Sequence, residues 1–172
     1  MIKSEKSEIL RCKIIAKDGI EVRDAGNDNS EPVEIVLGMP GEYYLERESL
    51  SVRIKQLEEL VPMLEKSFKL AQKMQAFGRS SKEQKEKNKK LEQKCAESKQ
   101  KLEELKEKKS VIDAEIENKK NNDAALIVGN KIYPRVSINI CDKKLVITKE
   151  KSHVEFKADE ENIIECEIQD PD

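Results

Sequence analysis

A heptad pattern in the middle of the chain constrains the fold more than any other feature. Apolar or small residues recur at alternating spacings of three and four, as in the seam of a coiled coil, at Leu50, Ile54, Leu57, Val61, Leu64, Phe68 and Ala71. Beyond residues 78–81, Gly-Arg-Ser-Ser, a second seam follows at Leu91, Cys95, Ser98, Leu102, Leu105, Ile112 and Ile116. Two seams joined by so short a break predict an antiparallel coiled-coil hairpin over residues 48–121, with its turn at 78–81.

The same pattern predicts how the hairpin pairs and where its helices begin. Folding the chain back at the turn pairs Phe68 with Leu91, Leu64 with Cys95, Leu57 with Leu102, and Ile54 with Leu105. Ser80 and Glu83 have the spacing of a capping box, which predicts the start of the second helix. Pro62 lacks a backbone donor and clashes with the preceding turn, so we expect a kink or a break in the first helix.

The segments on either side of the hairpin have the period of β-strands. Within residues 1–47, apolar and polar residues alternate between turn signals such as Asp18-Gly19. Residues 122–172 contain strands of about four to six residues that recur roughly every ten residues, a pattern typical of a sandwich, a barrel or a short β-solenoid. Segments of about 40 residues rarely form a core alone. We therefore expect an α+β fold in which both segments build one β unit and the hairpin is inserted between them.

Composition agrees with long exposed helices and limits the partners of the chain. Charged residues make up 40% of the sequence and aromatic residues 3%, which leaves little for a large core. The net charge of −2 gives no overall basic field for nucleic acid, and no apolar run approaches the ~20 residues of a membrane span. The four cysteines form no CxxC pair and no signal peptide is recognisable, so we expect free thiols and a cytoplasmic location.

The residue pattern offers no catalytic or ligand-binding constellation. His153 is the only histidine, and the cysteines near it in sequence lack the close spacing of structural zinc sites. A nucleophilic cysteine would need a base and an orienting group, which the sequence does not present. The glycines form neither a P-loop nor a dinucleotide fingerprint. We expect a protein that is not an enzyme and that has no metal and no cofactor.

A lysine-rich run leaves two interpretations open. Residues 82–109 contain eleven lysines and seven glutamates, a local charge of about +4 (11 − 7). The run could bind nucleic acid, or it could be the solvated face of a coiled coil with charge pairs one turn apart. Arginine and aromatic residues are absent from it, which favours the solvated face because base stacking needs aromatic side chains.

One tract resembles a known bacterial family. Residues 129–140, Gly-Asn-Lys-Ile-Tyr-Pro-Arg-Val-Ser-Ile-Asn-Ile, are similar to the "I-Y-P-G-V-x-I-x-I" tract that follows the coiled coil in the flagellar assembly protein A family. The matching residues are Ile132, Tyr133, Pro134, Val136, Ile138 and Ile140. Arg135 stands where the family has glycine, whereas residues 16–22 and 37–41 also fit the family pattern. The resemblance implies a short right-handed β-solenoid formed by the two β segments.

The resemblance also implies a function. It indicates a cytoplasmic, non-enzymatic factor that is tied to flagellar assembly or polar organisation and acts through protein contacts. A short solenoid leaves strand edges that can pair with other chains, so we expect self-association or partner docking at Ile132, Tyr133, Val136, Ile138 and Ile140. The alternatives are a prefoldin-like holding chaperone and a nucleic-acid-associated protein that uses the lysine-rich helix.

Overall fold

The chain is a mixed α+β protein with two long helices and two sheets. The computed structural model describes residues 8–10, 12–28, 32–76 and 81–168. One compact unit consists of Met1–Tyr44 and Glu115–Asp172, and the other of Leu45–Ala114. The strands are β1 Glu8–Ile9, β2 Lys13–Ala16, β3 Ile20–Ala25, β4 Val33–Leu37, β5 Ala125–Ile132, β6 Val136–Ile140, β7 Lys143–Val146, β8 Lys151–Ala158 and β9 Ile163–Glu167. The helices are α1 Gly41–Ala76 and α2 Lys82–Lys119.

From β1 to β6, successive strands alternate between the two sheets. The first sheet has the order β1-β3-β5-β8-β9 and the second has the order β2-β4-β6-β7. Strands β1, β3 and β5 pair in parallel, as do β2, β4 and β6, whereas β7, β8 and β9 are antiparallel to their neighbours. Each two successive strands from β1 to β6 therefore add one parallel strand to each sheet. The antiparallel strands β7, β8 and β9 follow them in sequence.

The core of this unit takes aliphatic side chains from both β segments. Alternation along a strand directs every second residue inward, and the parallel register places Ile35 beside Ile138. The fully buried core residues include Ile35, Leu37, Leu126, Val128, Ile132, Val136, Ile138, Ile140 and Phe156. Full burial stabilises by roughly 1.5–3 kcal/mol for each such side chain. Residues before and after the helices thus share one core.

The helical insertion begins and ends at adjacent points of the β unit. The chain turns out of β4 at Gly38, which has φ +83°, and the Asn121 N–H donates a 2.8 Å hydrogen bond to the Gly38 carbonyl. The Lys119 ammonium donates to the Tyr43 hydroxyl at 2.6 Å and lies 4.5 Å from the centre of the same ring. These contacts hold the first turn of α1 beside the last turn of α2.

Helix α1 begins before the predicted start of the hairpin, and α2 ends two residues before the predicted end at 121. Helix α1 starts at Gly41, seven residues before the expected boundary. It continues through Pro62, so the prediction of a break in the helix is wrong, whereas a kink there stays a prediction. The capping box lies one residue later than expected. The Ser81 N–H donates to Gln84 Oε1 at 2.9 Å, and the Gln84 N–H donates to Ser81 Oγ at 3.3 Å. Of the predicted turn, 78–81, residues 78–80 lie outside the described residues.

Polar contacts within Leu45–Ala114 give the pairing of the helices. Glu65 meets Lys99 at 2.6 Å, and Glu58 meets Lys106 at 3.0 Å. Residue numbers therefore fall along α1 as they rise along α2, which is the order of antiparallel helices. Closer to the turn, the Asn88 amide donates to Gln75 Oε1 at 3.3 Å.

The predicted register of the hairpin stays a prediction. It pairs Phe68 with Leu91, Leu64 with Cys95, Leu57 with Leu102, and Ile54 with Leu105. Helical side chains lean towards the N-terminus of their own helix, so the contacts between long polar side chains show the direction of the helices but do not fix which residues pack at the same level. Arg47 and Asp113, which meet at 4.0 Å, lie within one residue of the predicted pairing. Phe68 and Cys95 line one cavity, and every described seam side chain is buried or half-buried.

Candidate protein-interaction surface

The residues expected to contact a partner lie in the core of the β unit instead. Ile132, Val136, Ile138 and Ile140 have 0% exposure, and Tyr133 is half-buried. Val136, Ile138 and Ile140 lie on β6, which is hydrogen-bonded to β4 on one side and β7 on the other, and Ile132 ends β5. The prediction of a contact surface on these side chains is therefore wrong, because the alternating apolar residues that suggested it fill the space between the two sheets.

The outer strands of both sheets carry charges that oppose edge pairing. Among the described strands, β2 and β7 lie at the edges of one sheet, and β1 and β9 at those of the other. Strand β7 carries Lys143 and Lys144, and β9 carries Glu165 and Glu167. Short edge strands with charged side chains resist pairing with another chain. The edges are consequently poorer candidates for an interface than the sequence indicated.

Helix α1 carries an exposed row of large apolar side chains, named here the α1 stripe. Ten large apolar side chains are exposed in the described part of the chain, and six of them lie on α1. The stripe consists of Leu45, Val52, Leu60, Met63, Leu70 and Met74. The spacings of 7, 11, 7 and 4 residues that link Leu45, Val52, Met63, Leu70 and Met74 are close to whole turns at 3.6 residues per turn, so these five residues share one face.

The stripe is a second apolar face, separate from the seam. Val61 and Ile54 of the seam are buried against α2, whereas Met63 of the stripe is 66% exposed. A helix in a two-helix hairpin needs one apolar face to pack, with polar residues on the other side. Helix α2 follows that rule, since Val111 is its only large exposed apolar residue among those described. The α1 stripe is therefore not explained by the packing of the hairpin.

Charged residues border one side of the α1 stripe. Glu48, Lys55, Glu59 and Lys66 recur at spacings of 7, 4 and 7 residues, which places them along the same flank of the helix. All four side chains are exposed. Their order along the helix is acid, base, acid, base, so the stripe has an apolar centre and a charged rim, as protein interfaces commonly do.

The lysine-rich run of α2 is partly used within the hairpin. Lys99 and Lys106 pair with glutamates of α1. The hydrogen bond from Lys99 to Glu65 raises the pKa of the lysine and lowers the pKa of the glutamate. Lys109 pairs with Asp113 one turn further along at 2.8 Å. These contacts favour the solvated-face interpretation over the nucleic-acid interpretation for those lysines.

Other chemical sites are sparse in the part of the chain that the structure describes. Its His, Cys, Asp and Glu side chains form no group of three or more that could hold a metal ion. Burial raises the pKa of the Cys141 thiol, and the sulfur lies 3.3 Å from the Asn121 carbonyl. Neither long helix has an apolar window that could cross a bilayer.

The comparison with protein families decides the family. The model of the Flagellar Assembly Protein A beta solenoid domain matches residues 1–164. The chain belongs to this family. No curated protein and no solved structure matches it. Membership confirms the resemblance of the 129–140 tract and links the chain to flagellar assembly.

Arg135 shows how this family member makes the bend where the resemblance gave a glycine. Its φ of 70° lies in the left-handed region, and its N–H donates a 2.9 Å hydrogen bond to the Ile147 carbonyl. The bend is thus retained at a conformational cost of roughly 1–2 kcal/mol that glycine would not carry.

The α1 stripe was not among the predicted sites, although the sequence contains its signal. The seam accounts for one apolar row on α1, and the remaining large apolar residues of that helix recur at near-integral turns. A second row at helical period, on a helix with a single partner helix, is the pattern that would have indicated a further contact surface.

Proposed function

We propose that this flagellar assembly protein A family member is a non-catalytic structural factor that binds protein through the α1 stripe. Its role would lie in bacterial flagellar assembly or polar organisation. The observation that carries the proposal is the row of six exposed apolar side chains on α1, five of which share one face of the helix. Contiguous exposed apolar surface of this kind marks interaction sites in soluble proteins.

Leaving the stripe in water has a free-energy cost that a partner would remove. Burying one large aliphatic side chain contributes roughly 1.5–3 kcal/mol. Polar residues at these positions would serve an exposed helix face as well, since neither helix propensity nor seam packing requires Leu45, Met63 or Leu70 to be apolar. The apolar side chains of the stripe contribute stabilising free energy only when a partner covers them, so a partner explains why these positions are apolar.

We also propose that the β unit forms a short right-handed β-solenoid, which would support this role. Alternation of parallel strands between two sheets is the connectivity that a solenoid requires. The antiparallel strands β7, β8 and β9 would close its C-terminal end. The Gly38–Asn121 hydrogen bond would then anchor both ends of the helical hairpin on the solenoid.

We place the protein in the cytoplasm as part of the same proposal. All four cysteines are free thiols in the structure, and free thiols are typical of reducing compartments. A protein that assists flagellar assembly from inside the cell would meet its partners there.

The proposal is tested by replacing a stripe residue in a bacterium that carries this protein. Met63→Lys puts a charge at the centre of the stripe, and Val111→Lys makes the same kind of change on α2 at a side chain of similar exposure, 64%. We expect the Met63→Lys strain to lose flagella, counted by electron microscopy, and the Val111→Lys strain to keep them. Normal flagella in the Met63→Lys strain, at normal protein level, would contradict the proposal.

A holding chaperone is a second function that the α1 stripe fits. Exposed methionines adapt to irregular apolar surfaces because their side chains are flexible and polarisable, and Met63 and Met74 lie in the stripe. A holder would suppress the aggregation of a chemically unfolded client in a light-scattering assay, and Met63→Lys would abolish the suppression. A specific structural factor would leave the aggregation of such a client unchanged.

A further inference from the structure

We infer that the partner of the α1 stripe is a second copy of the same helix, packed against it antiparallel. The inference rests on the proposed function, because it takes the stripe as the binding surface and identifies what binds there. Three features of the described residues carry it: the order of apolar residues along α1, the order of charges on its flank, and the area that the stripe offers.

The apolar residues of the stripe are arranged to match themselves in reverse order. An antiparallel pair of α1 helices related by a two-fold axis near Leu57 places Leu45 opposite Leu70 of the other copy and Val52 opposite Met63. The same register places Ser49 opposite Ser67 of the other copy. Both are small residues with exposed side chains. Each apolar contact then occurs twice across the axis, as an isologous interface requires.

The charges on the flank give the stronger argument for a second copy. Glu48 and Lys66 lie nine residues on either side of position 57, and Lys55 and Glu59 lie two residues on either side. An antiparallel pair therefore sets every acid on this flank against a base of the other copy. A parallel pair would instead set this flank against the opposite flank of the other copy, so these charges would not meet. Opposite charges along an interface fix register and orientation.

The area of the stripe agrees with a weak dimer. Each of the four side chains that this register pairs can lose on the order of 100 Å² of apolar surface, by the usual relation between transfer free energy and area. These side chains of two copies would thus bury about 800 Å², and with their flanking residues the interface falls in the small, transient class. The interface is large enough to form and small enough to depend on its charged rim.

Charge reversal on the flank tests both the dimer and its direction. Lys55→Glu sets two acids against each other in the antiparallel pair, and Glu59→Lys sets two bases against each other. We expect the purified wild-type chain to dimerise in sedimentation velocity over a series from about 1 µM to about 1 mM. Each single variant should dimerise about tenfold more weakly, because two attractive contacts become repulsive.

Mixing the two variants is the decisive measurement. In the mixed pair each reversed residue again meets an opposite charge, so an equimolar mixture of the Lys55→Glu and Glu59→Lys chains should recover wild-type association. The double variant should recover it alone. Glu97→Lys on α2 is the matched control, since it makes the same charge change as Glu59→Lys. Glu97 lies four residues before Lys101, so this variant also removes a glutamate that neighbours a lysine on its own helix. It should dimerise like the wild type.

The result that overturns the inference differs from the result that overturns the proposed function. A wild-type chain that stays monomeric throughout the series, or single variants that dimerise normally, would refute the second copy as partner. A mixture that fails to recover would refute the antiparallel register. If the chain is monomeric and Met63→Lys still removes flagella, the stripe binds a different protein and the proposed function stands. If the chain dimerises and Met63→Lys leaves flagella unchanged, only the proposed function fails.

Discussion

Replacing Gly38 by alanine should destabilise the β unit, because a Cβ at this position has no space. Gly38 has φ +83° at the point where the chain leaves β4 for helix α1. A Cβ there would lie 2.4 Å from Cys141 Sγ and 2.9 Å from the Asn121 carbonyl oxygen. Both distances are below van der Waals contact, and the carbonyl belongs to the backbone where the chain re-enters the β unit.

The expected magnitude follows from three contributions. The left-handed conformation costs a non-glycine residue roughly 1–2 kcal/mol, and the overlap with Cys141 and Asn121 adds about 1–3 kcal/mol. Alanine also reduces the freedom of the unfolded chain, which stabilises by about 0.4–1 kcal/mol. The net change in the free energy of unfolding for Gly38→Ala is a loss on the order of 1–4 kcal/mol.

The assay is urea unfolding followed by amide resonances of β4 and β6, which report the β unit separately from the hairpin. Gly129→Ala is the matched control, because its Cβ would meet only the Val22 carbonyl oxygen, at 3.8 Å. We expect that control to change the free energy by less than about 0.5 kcal/mol. Adding Cys141→Ala to Gly38→Ala should recover part of the loss, since it removes the closest contact. A Gly38→Ala variant as stable as the control would refute the steric argument.

Three further predictions concern a bend, an ion pair and the helix register. Arg135→Gly should raise the free energy of unfolding, measured in urea, by up to about 1 kcal/mol, because glycine adopts the φ of 70° freely; a lower free energy would show that the arginine side chain contributes more. The hydrogen bond from Lys99 lowers the pKa of Glu65 below its ordinary 4.5, so the pair stabilises above that pH and its contribution is lost as the pH falls through the lowered pKa. Glu65→Gln should consequently be less stable than the wild type at pH 7 and equal to it in strong acid, and a pH-independent difference would contradict the linkage. Phe68→Cys should form a disulfide with Cys95 on mild oxidation, seen as a mass loss of two hydrogens, because both positions line one cavity, and a chain that keeps both thiols would argue against their closeness.

Membership of the flagellar assembly family and the character of each segment were predictable from the sequence. The spacing of three and four from Leu50 to Ala71 records which side of α1 packs, because the period of a helix is a local property of the backbone. The same holds for the period of two in the β segments. The tract at 129–140 identified the family because short motifs survive in linear order, even with Arg135 in place of glycine.

The position of the interaction surface required the tertiary structure. The two apolar seams predict that the helices pair antiparallel, and the contacts of Glu58 and Glu65 with lysines of α2 agree with that order. Alternation in β6 says that one face is apolar but not whether a second sheet covers it.

Whether each apolar residue is buried is therefore what the sequence leaves open and the tertiary structure decides. The sequence determined that Val136, Ile138 and Ile140 share one face of a strand and that Met63 is apolar on a helix. Only the fold decided that the first three are enclosed between two sheets and that Met63 is left in water. Periodicity is set by neighbours along the chain, whereas burial is set by elements that are distant in sequence, and the burial of an apolar side chain governs whether it stabilises the fold or remains available to a partner.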